Sequence, residues 1–217
     1  MSSIIKKVNF PKLESKIEMN NSKYNEKGTS SEILDVDTTN FNSSTHYFRQ
    51  DDERWAKEKI NMSDLSFEAA GCAITSMANL LVMSKVDENI DPLKLRDKLR
   101  DSLLENGGNL EWGKITEIYP NFVYEKELSN YNAHNSSLDY QKVKDLVNKG
   151  YMVEIQICDR EKSGGLTHYV AACKVENNEI YVVDPATSEG PVPLSSVKWR
   201  DVDDLGIYAY QVYKVKK

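Results

Sequence analysis

Hydrophobic and polar positions divide the chain into a helical part followed by a strand-rich part. Between residues 70 and 84, small and apolar side chains recur every three or four residues, at Ala73, Met77, Leu80 and Leu81. This spacing predicts a buried helix with Cys72 in its first turn.

Further helices are expected after this segment. Asp91-Pro92 places an acidic cap before a proline at the first helical position, and the amphipathic helix that begins there ends at Asn106-Gly107-Gly108. A short helical piece is expected at 112–118, and a later helix ends at Gly150.

From residue 151 onwards, the hydrophobic period changes from about 3.6 residues to two. Alternating apolar and polar positions predict strands at 151–157, 168–174, 180–184 and 208–213. Because the helices come first and the strands follow, we expect an α+β domain with an antiparallel sheet.

The first 45 residues do not fit this pattern. They are rich in Ser, Asn, Lys, Asp and Glu, and their apolar periodicity is poor. We expect residues 1–45 to form a polar extension, partly ordered at best, with a pro-segment that masks the domain as the alternative. The organised domain is expected to span residues 46–217.

Charge and hydropathy restrict the partners of the chain. A net charge of −6, with no basic cluster, argues against a surface that binds nucleic acid or an anionic membrane. No apolar stretch reaches the length of about 18 residues that a membrane-spanning helix needs. Residues 1–10 lack the apolar segment that a conventional signal peptide requires, so no such signal is visible. We therefore expect a cytoplasmic protein, or one exported without such a signal.

The cysteines and histidines argue against other kinds of site. Three cysteines without a C-x-x-C pair are atypical of a disulfide framework or a thiolate zinc site. His46, His134 and His168 are too scattered to indicate a metal centre. We expect neither a metal nor a cofactor.

Cys72 is the first candidate for chemistry. It follows Gly71 at a helix start, where free backbone N–H groups and the positive end of the helix dipole stabilise an anion. A thiolate nucleophile and an ordinary buried cysteine both fit this position. Cys158 and Cys173 lie within predicted strands, and we expect both in the core.

A nucleophilic cysteine needs a base, and the base needs an orienting group. His168 opens a predicted strand, where a working imidazole and a structural one are both possible. Asp184 lies sixteen residues later and can orient the ring if both side chains face the same side of the hairpin. A plain two-residue turn at Asn177-Asn178 would put them on opposite faces, so an odd-length loop or a bulge is required.

Acyl transfer also requires donors for the developing oxyanion. The backbone N–H of Cys72 is one candidate, and the side-chain amide of Gln50 is the other. Taken alone, Gln50 is better explained as an exposed polar residue, and the oxyanion-hole role depends on the other candidate residues. Trp55, close by in sequence, is expected to anchor the core.

Four segments taken together resemble a known family. Gln50 to Ala56, Gly71 to Ala78, His168 to Ala171 and Tyr181 to Pro185 follow the order seen in stand-alone C39-like cysteine peptidases of papain fold. The resemblance covers residues 47–213. It implies a papain-like α+β fold in which the helix of the nucleophile packs on the C-terminal antiparallel sheet.

The resemblance also implies the roles of four residues. Cys72 would be the nucleophile, His168 the base, Asp184 the orienting acid and Gln50 the oxyanion-hole donor. The substrate would be a peptide or protein, cleaved at an amide bond through a thioester acyl-enzyme. Two alternatives stay open: an acyltransferase or deamidase that uses the same triad, and an inactive binding module on a peptidase fold.

Two features depart from the pattern of this family. Many members have Gly-Pro after the cysteine, where this chain has Ala73-Ile74. The stretch between Trp55 and Gly71 is polar rather than a short glycine-rich link. Both changes bear on the groove beside the nucleophile, and so on the choice of substrate more than on the chemistry.

Overall fold

The structure is a computed structural model, and part of the chain is described in it. The described residues are 47–60, 65–105, 110–131, 137–159, 167–187, 190–199 and 205–217. The expected extension at residues 1–45 lies outside them, as do His46 and His134. The division of the chain into an extension and a domain therefore stays a prediction.

Helices come first in the described chain, and most of the strands follow. The helices are α1 (Phe67–Ala70), α2 (Cys72–Met83), α3 (Pro92–Glu105), α4 (Trp112–Ile118) and α5 (Ser137–Asn148). The strands are β1 (Phe122–Tyr124), β2 (Met152–Asp159), β3 (His168–Glu176), β4 (Glu179–Val183), β5 (Pro191–Pro193) and β6 (Leu205–Val215). None of the described helices has the length and hydrophobicity that a membrane crossing requires.

The strands form one antiparallel sheet, in the order β1-β6-β2-β3-β4-β5. The α+β class expected from the order of elements is therefore confirmed. The two edge strands, β1 and β5, were not predicted from the sequence. Each has only three residues, which is too short for an alternating pattern to be recognised.

Apolar layers cover both faces of this sheet. On one face, α2, α3 and α4 bury their side chains against Met152, Ala171 and Tyr213. On the other face, α5 packs against a second layer that includes Val153 and Ile155. Because both faces are covered, β2 is buried at six of its eight positions although its sequence alternates.

The helix that carries Cys72 is almost completely enclosed, with ten of its twelve residues buried. Its polar side chains bind neighbouring backbone. The amide of Asn79 accepts from the N–H of Phe48 at 2.9 Å and donates to its carbonyl at 3.1 Å. The Ser76 hydroxyl donates to the carbonyl of Tyr169 at 2.9 Å. These hydrogen bonds fix α2 against the segment around Phe48, which precedes α1, and against β3.

The β3–β4 hairpin combines a tight turn with a bulge. Asn177 and Asn178 have φ values of 50° and 64° and form a two-residue turn. The register then shifts at Cys173, which has no partner between the pairs Lys174–Tyr181 and Ala172–Val182. This extra residue reverses the side-chain parity of the rest of β3. His168 and Asp184 therefore share a face. The sequence required an odd-length loop or a bulge, and the structure has the bulge.

We predict that Asn178→Ala destabilises the hairpin. Asn178 has a positive φ, and its side chain accepts a hydrogen bond from Lys144 Nζ at 2.8 Å. Alanine lacks this acceptor and is strained in the left-handed region, at a cost of roughly 1–2 kcal/mol. Asn178→Gly is the matched control, because glycine tolerates the backbone conformation and loses only the acceptor. Urea unfolding should show the larger loss in the alanine variant, and equal losses would contradict this account.

Candidate active site

A glycine junction between two helices sets the position of Cys72. The N–H of Gly71 donates to the carbonyl of Phe67 at 2.7 Å, and Cys72 is the first residue of α2. A β-carbon on Gly71 would lie 2.6 Å from both Cδ1 and the carbonyl oxygen of Phe67. The tight junction therefore requires glycine, and it fixes the sulfur at the positive end of a twelve-residue helix.

His168 and Asp184 form a hydrogen bond inside the protein. Nε2 of His168 lies 2.7 Å from Oδ1 of Asp184, and the two side chains are 0% and 1% exposed. The same carboxylate oxygen accepts from the backbone N–H of Ala186 at 2.8 Å. The turn after β4 thus holds the carboxylate, and the carboxylate orients the ring so that Nδ1 is available to a different partner.

The ring of His168 also interacts with the thiol of Cys72. Burial lowers the pKa of His168, but the hydrogen bond to Asp184 and the interactions with Cys72 raise it more, to about 9. Nδ1 makes no well-aligned hydrogen bond with a described residue. The contact with the sulfur is therefore long or oblique, as catalytic contacts often are before substrate binds.

Gln50 lies beside the same turn and is buried rather than exposed. Its backbone N–H donates to the carbonyl of Pro185 at 2.9 Å, next to Asp184. The residue is 3% exposed. Its side-chain Nε2 donates one N–H to the carbonyl of Glu68 at 2.8 Å. The fold therefore brings all four candidate residues, Cys72, His168, Asp184 and Gln50, to one region of the molecule.

Trp199 also belongs to this region, and the sequence analysis missed it. Its ring stacks on His168 with centroids 3.9 Å apart and planes inclined by 6°. Such a stack limits rotation of the imidazole and keeps water from the buried hydrogen bond to Asp184. Trp199 lies after the short 3₁₀ turn at Leu194–Ser196, outside any periodic segment. The one signal in the sequence that could have indicated a role for Trp199 is its size as an isolated aromatic residue outside any predicted helix or strand.

Glu154 is the second residue that the sequence analysis missed. It lies on β2, is 0% exposed, and neither carboxyl oxygen has a hydrogen-bond partner among the described residues. Burial, and then the nearby Cys72, raise its pKa well above the usual value. A glutamate in an alternating strand ordinarily faces solvent, so its sequence position carried no signal of burial.

The remaining candidates have structural positions. Cys158 and Cys173 are buried within strands, as expected, and burial raises the pKa of Cys173 to about 12. Trp55 is buried in the core, also as expected, and its indole donates to the carbonyl of Arg49 at 2.7 Å. Within the described ranges, no group of three or more His, Cys, Asp or Glu side chains could hold a metal ion.

We predict that Gly71→Ala displaces the start of α2. The added methyl group would overlap the backbone of Phe67, and overpacking of this kind costs roughly 1–3 kcal/mol. Gly113→Ala on α4 is the matched control, because a β-carbon there meets nothing within 4 Å. Urea unfolding should show a loss of stability, and the rate of Cys72 alkylation should change, in the first variant only, because alanine is a better helix former than glycine at position 113. An unchanged alkylation rate in Gly71→Ala would show that the junction does not set the sulfur position.

Comparison with known proteins bears on the whole of this arrangement. A search among curated proteins found no match to the chain. A family model described as the Peptidase_C39 like family matches residues 42–212. The matched region is most of the chain and contains Cys72, His168, Asp184 and Gln50. The chain therefore belongs to the Peptidase_C39 like family.

Proposed function

We propose that this protein hydrolyses a peptide or related amide bond by acyl transfer through Cys72. Membership of the family supports a cysteine peptidase. The observation that carries the finer proposal is the buried pair of His168 and Asp184 beside the thiol of Cys72. Peptides or proteins are the proposed substrates.

The first step is the attack of the Cys72 sulfur on the substrate carbonyl. The proton of the thiol passes to Nδ1 of His168, whose raised pKa favours the imidazolium at neutral pH. The N-terminus of α2 stabilises the negative sulfur through its backbone dipoles. Asp184 holds Nε2, so that the ring keeps the orientation in which Nδ1 faces the sulfur.

Two donors are proposed for the oxyanion that forms next. One is the backbone N–H of Cys72, at the first position of α2. The other is the second N–H on Nε2 of Gln50, because the first donates to Glu68. Donors fixed in this way do not have to reorganise as the charge develops, which is the physical basis of their contribution.

Collapse of the intermediate completes the cycle. His168 protonates the leaving amine as the carbon–nitrogen bond breaks, which leaves a thioester on Cys72. His168 then takes a proton from water, whose oxygen attacks the thioester and releases the free acid and the thiolate. Trp199 covers the ring throughout and keeps bulk water from the imidazole–carboxylate bond.

We predict that Cys72→Ala and His168→Ala each lower turnover by at least about a thousandfold. Each variant removes a partner of the reacting pair, while thermal unfolding should show that both still fold. Cys158→Ala is the matched control, because this second buried cysteine lies on β2 away from any helix N-terminus.

Peptide libraries, with products identified by mass spectrometry in ¹⁸O-labelled water, supply the measurement. Hydrolysis places one labelled oxygen in each new carboxyl group, whereas transfer to an added amine places none. Turnover retained in Cys72→Ala or His168→Ala would contradict the proposal.

We also predict a pH dependence of charge at the site. Because the pKa of His168 is raised to about 9, the ring carries a positive charge below that pH and attracts anionic iodoacetate to Cys72. As the pH rises through 9, the ring loses its charge. The rate with iodoacetate should then fall relative to neutral iodoacetamide by roughly tenfold, or about 1.4 kcal/mol. In His168→Ala the ratio should not change near pH 9, and a wild-type ratio independent of pH would contradict the prediction.

A further inference from the structure

Glu154 is a buried acid that the mechanism above does not use. It lies in the interior of the sheet, on β2, paired with Ala171 of β3 and Gln211 of β6. It is 0% exposed, and both of its carboxyl oxygens lack a hydrogen-bond partner among the described residues. An unpaired carboxylate in such surroundings is strongly disfavoured, so the group keeps its proton at neutral pH.

Glu154 faces the helix that carries the nucleophile. Met152, two residues earlier on β2, and Ala171, its cross-strand partner, both belong to the apolar layer that packs against α2. Side chains at these positions share one face of the sheet. On the same side, Ser76 in α2 is tied to β3 through the carbonyl of Tyr169. The carboxyl group therefore lies beneath the N-terminal half of α2.

The titratable groups around Glu154 come from three elements. The charge of Cys72 on α2 raises the pKa of Glu154. The charge of Glu154 in turn raises the pKa of Tyr169 on β3 and of Tyr213 on β6. Burial raises the pKa of both tyrosines, which stay neutral. Among the described residues, no group donates a hydrogen bond to either carboxyl oxygen of Glu154. Near neutral pH, Glu154 and Cys72 are thus the two groups here that compete for a negative charge.

We propose that Glu154 is a positioning residue whose neutral, protonated form permits the charged state of the Cys72–His168 pair. The inference rests on the proposed function, because it concerns the same nucleophile. When Glu154 loses its proton to solvent, a second negative charge appears near the sulfur, in a region of low dielectric. The proton on Nδ1 of His168 then returns to the sulfur. This transfer leaves a neutral thiol, a neutral imidazole and the carboxylate. The negative charge then lies on Glu154, the positive charge on His168 is gone, and the net charge of the three groups has fallen by one, which matches the proton released to solvent.

A structural role alone explains this glutamate poorly. An unpaired buried carboxyl opposes folding, and an apolar or amide side chain of similar size would avoid that cost. Buried polar residues without hydrogen-bond partners, which break the rule that buried polar groups are paired, are typical of functional sites. The consequence is an upper pH limit on the nucleophile that depends on Glu154 and not on His168 alone.

The test compares the alkylation of Cys72 by iodoacetamide in the wild type and in Glu154→Gln across neutral and alkaline pH. Glutamine keeps the shape of the protonated acid and cannot ionise. We expect the rate of the variant, divided by that of the wild type, to rise roughly tenfold with pH, the equivalent of one pKa unit. Glu176→Gln, which removes a carboxylate with a side chain 51% exposed, is the matched control and should give a constant ratio. A constant ratio for Glu154→Gln would overturn the inference.

Stability measurements show whether the variant folds. An unfolded glutamate ionises near its ordinary pKa, whereas Glu154 in the native state keeps its proton to higher pH. Above the ordinary value the native state therefore binds more protons, and the wild type loses stability relative to Glu154→Gln as the pH rises. If Glu154→Gln does not fold, Glu154→Met removes the same charge, and the same rise in the alkylation ratio is expected.

Failure of this inference is distinguishable from failure of the proposed function. If Cys72 reacts no faster than Cys158 and Cys173, and His168→Ala does not alter its rate, the reactive pair itself is refuted, and the inference with it. If Cys72 is reactive and depends on His168, but Glu154→Gln leaves the pH profile parallel to the wild type, the inference about Glu154 alone is refuted.

Discussion

The hydrogen bond between His168 Nε2 and Asp184 Oδ1 is the interaction on which the rest of the site depends. Both side chains are withdrawn from water, so their attraction is not screened by solvent. The bond exists because Cys173 bulges out of register and turns His168 to the face on which Asp184 lies. A single residue without a cross-strand partner thereby decides whether the proposed base and its proposed orienting acid can meet.

The position of the sulfur relative to this pair depends on how α2 is seated. Apolar contacts alone tolerate small shifts of a helix along a sheet, whereas hydrogen bonds to fixed backbone groups do not. Asn79 binds both backbone groups of Phe48, and Ser76 binds the carbonyl next to His168, that of Tyr169. Gly71 then allows the close passage of the chain into α2. The candidate catalytic side chains are thus aligned by polar contacts within an otherwise apolar layer.

The site also concentrates groups that oppose stability. Glu154 has no partner among the described residues, and Gln50 Oε1 and Asp184 Oδ2 are likewise buried without one. Unsatisfied polar atoms of this kind are costly in the interior, and their clustering beside Cys72 fits a site in which stability has been given up for chemistry. Trp199 stacks on the imidazole and, by excluding water, strengthens its hydrogen bond to Asp184.

The sequence by itself determined the helix of Cys72, the cap at Asp91, the long strands and the need for an odd-length loop or a bulge before His168 could face Asp184. These features follow from local periodicity, from capping chemistry and from the strict alternation of a strand. Only the tertiary structure decided that Gln50 and Glu154 are buried, that Trp199 covers His168, and that β1 and β5 complete the sheet. The reason is that burial and stacking are set by segments distant in sequence: α2 to α4 on one face of the sheet, α5 on the other, and the turn before Trp199. No periodicity within a short window contains that information.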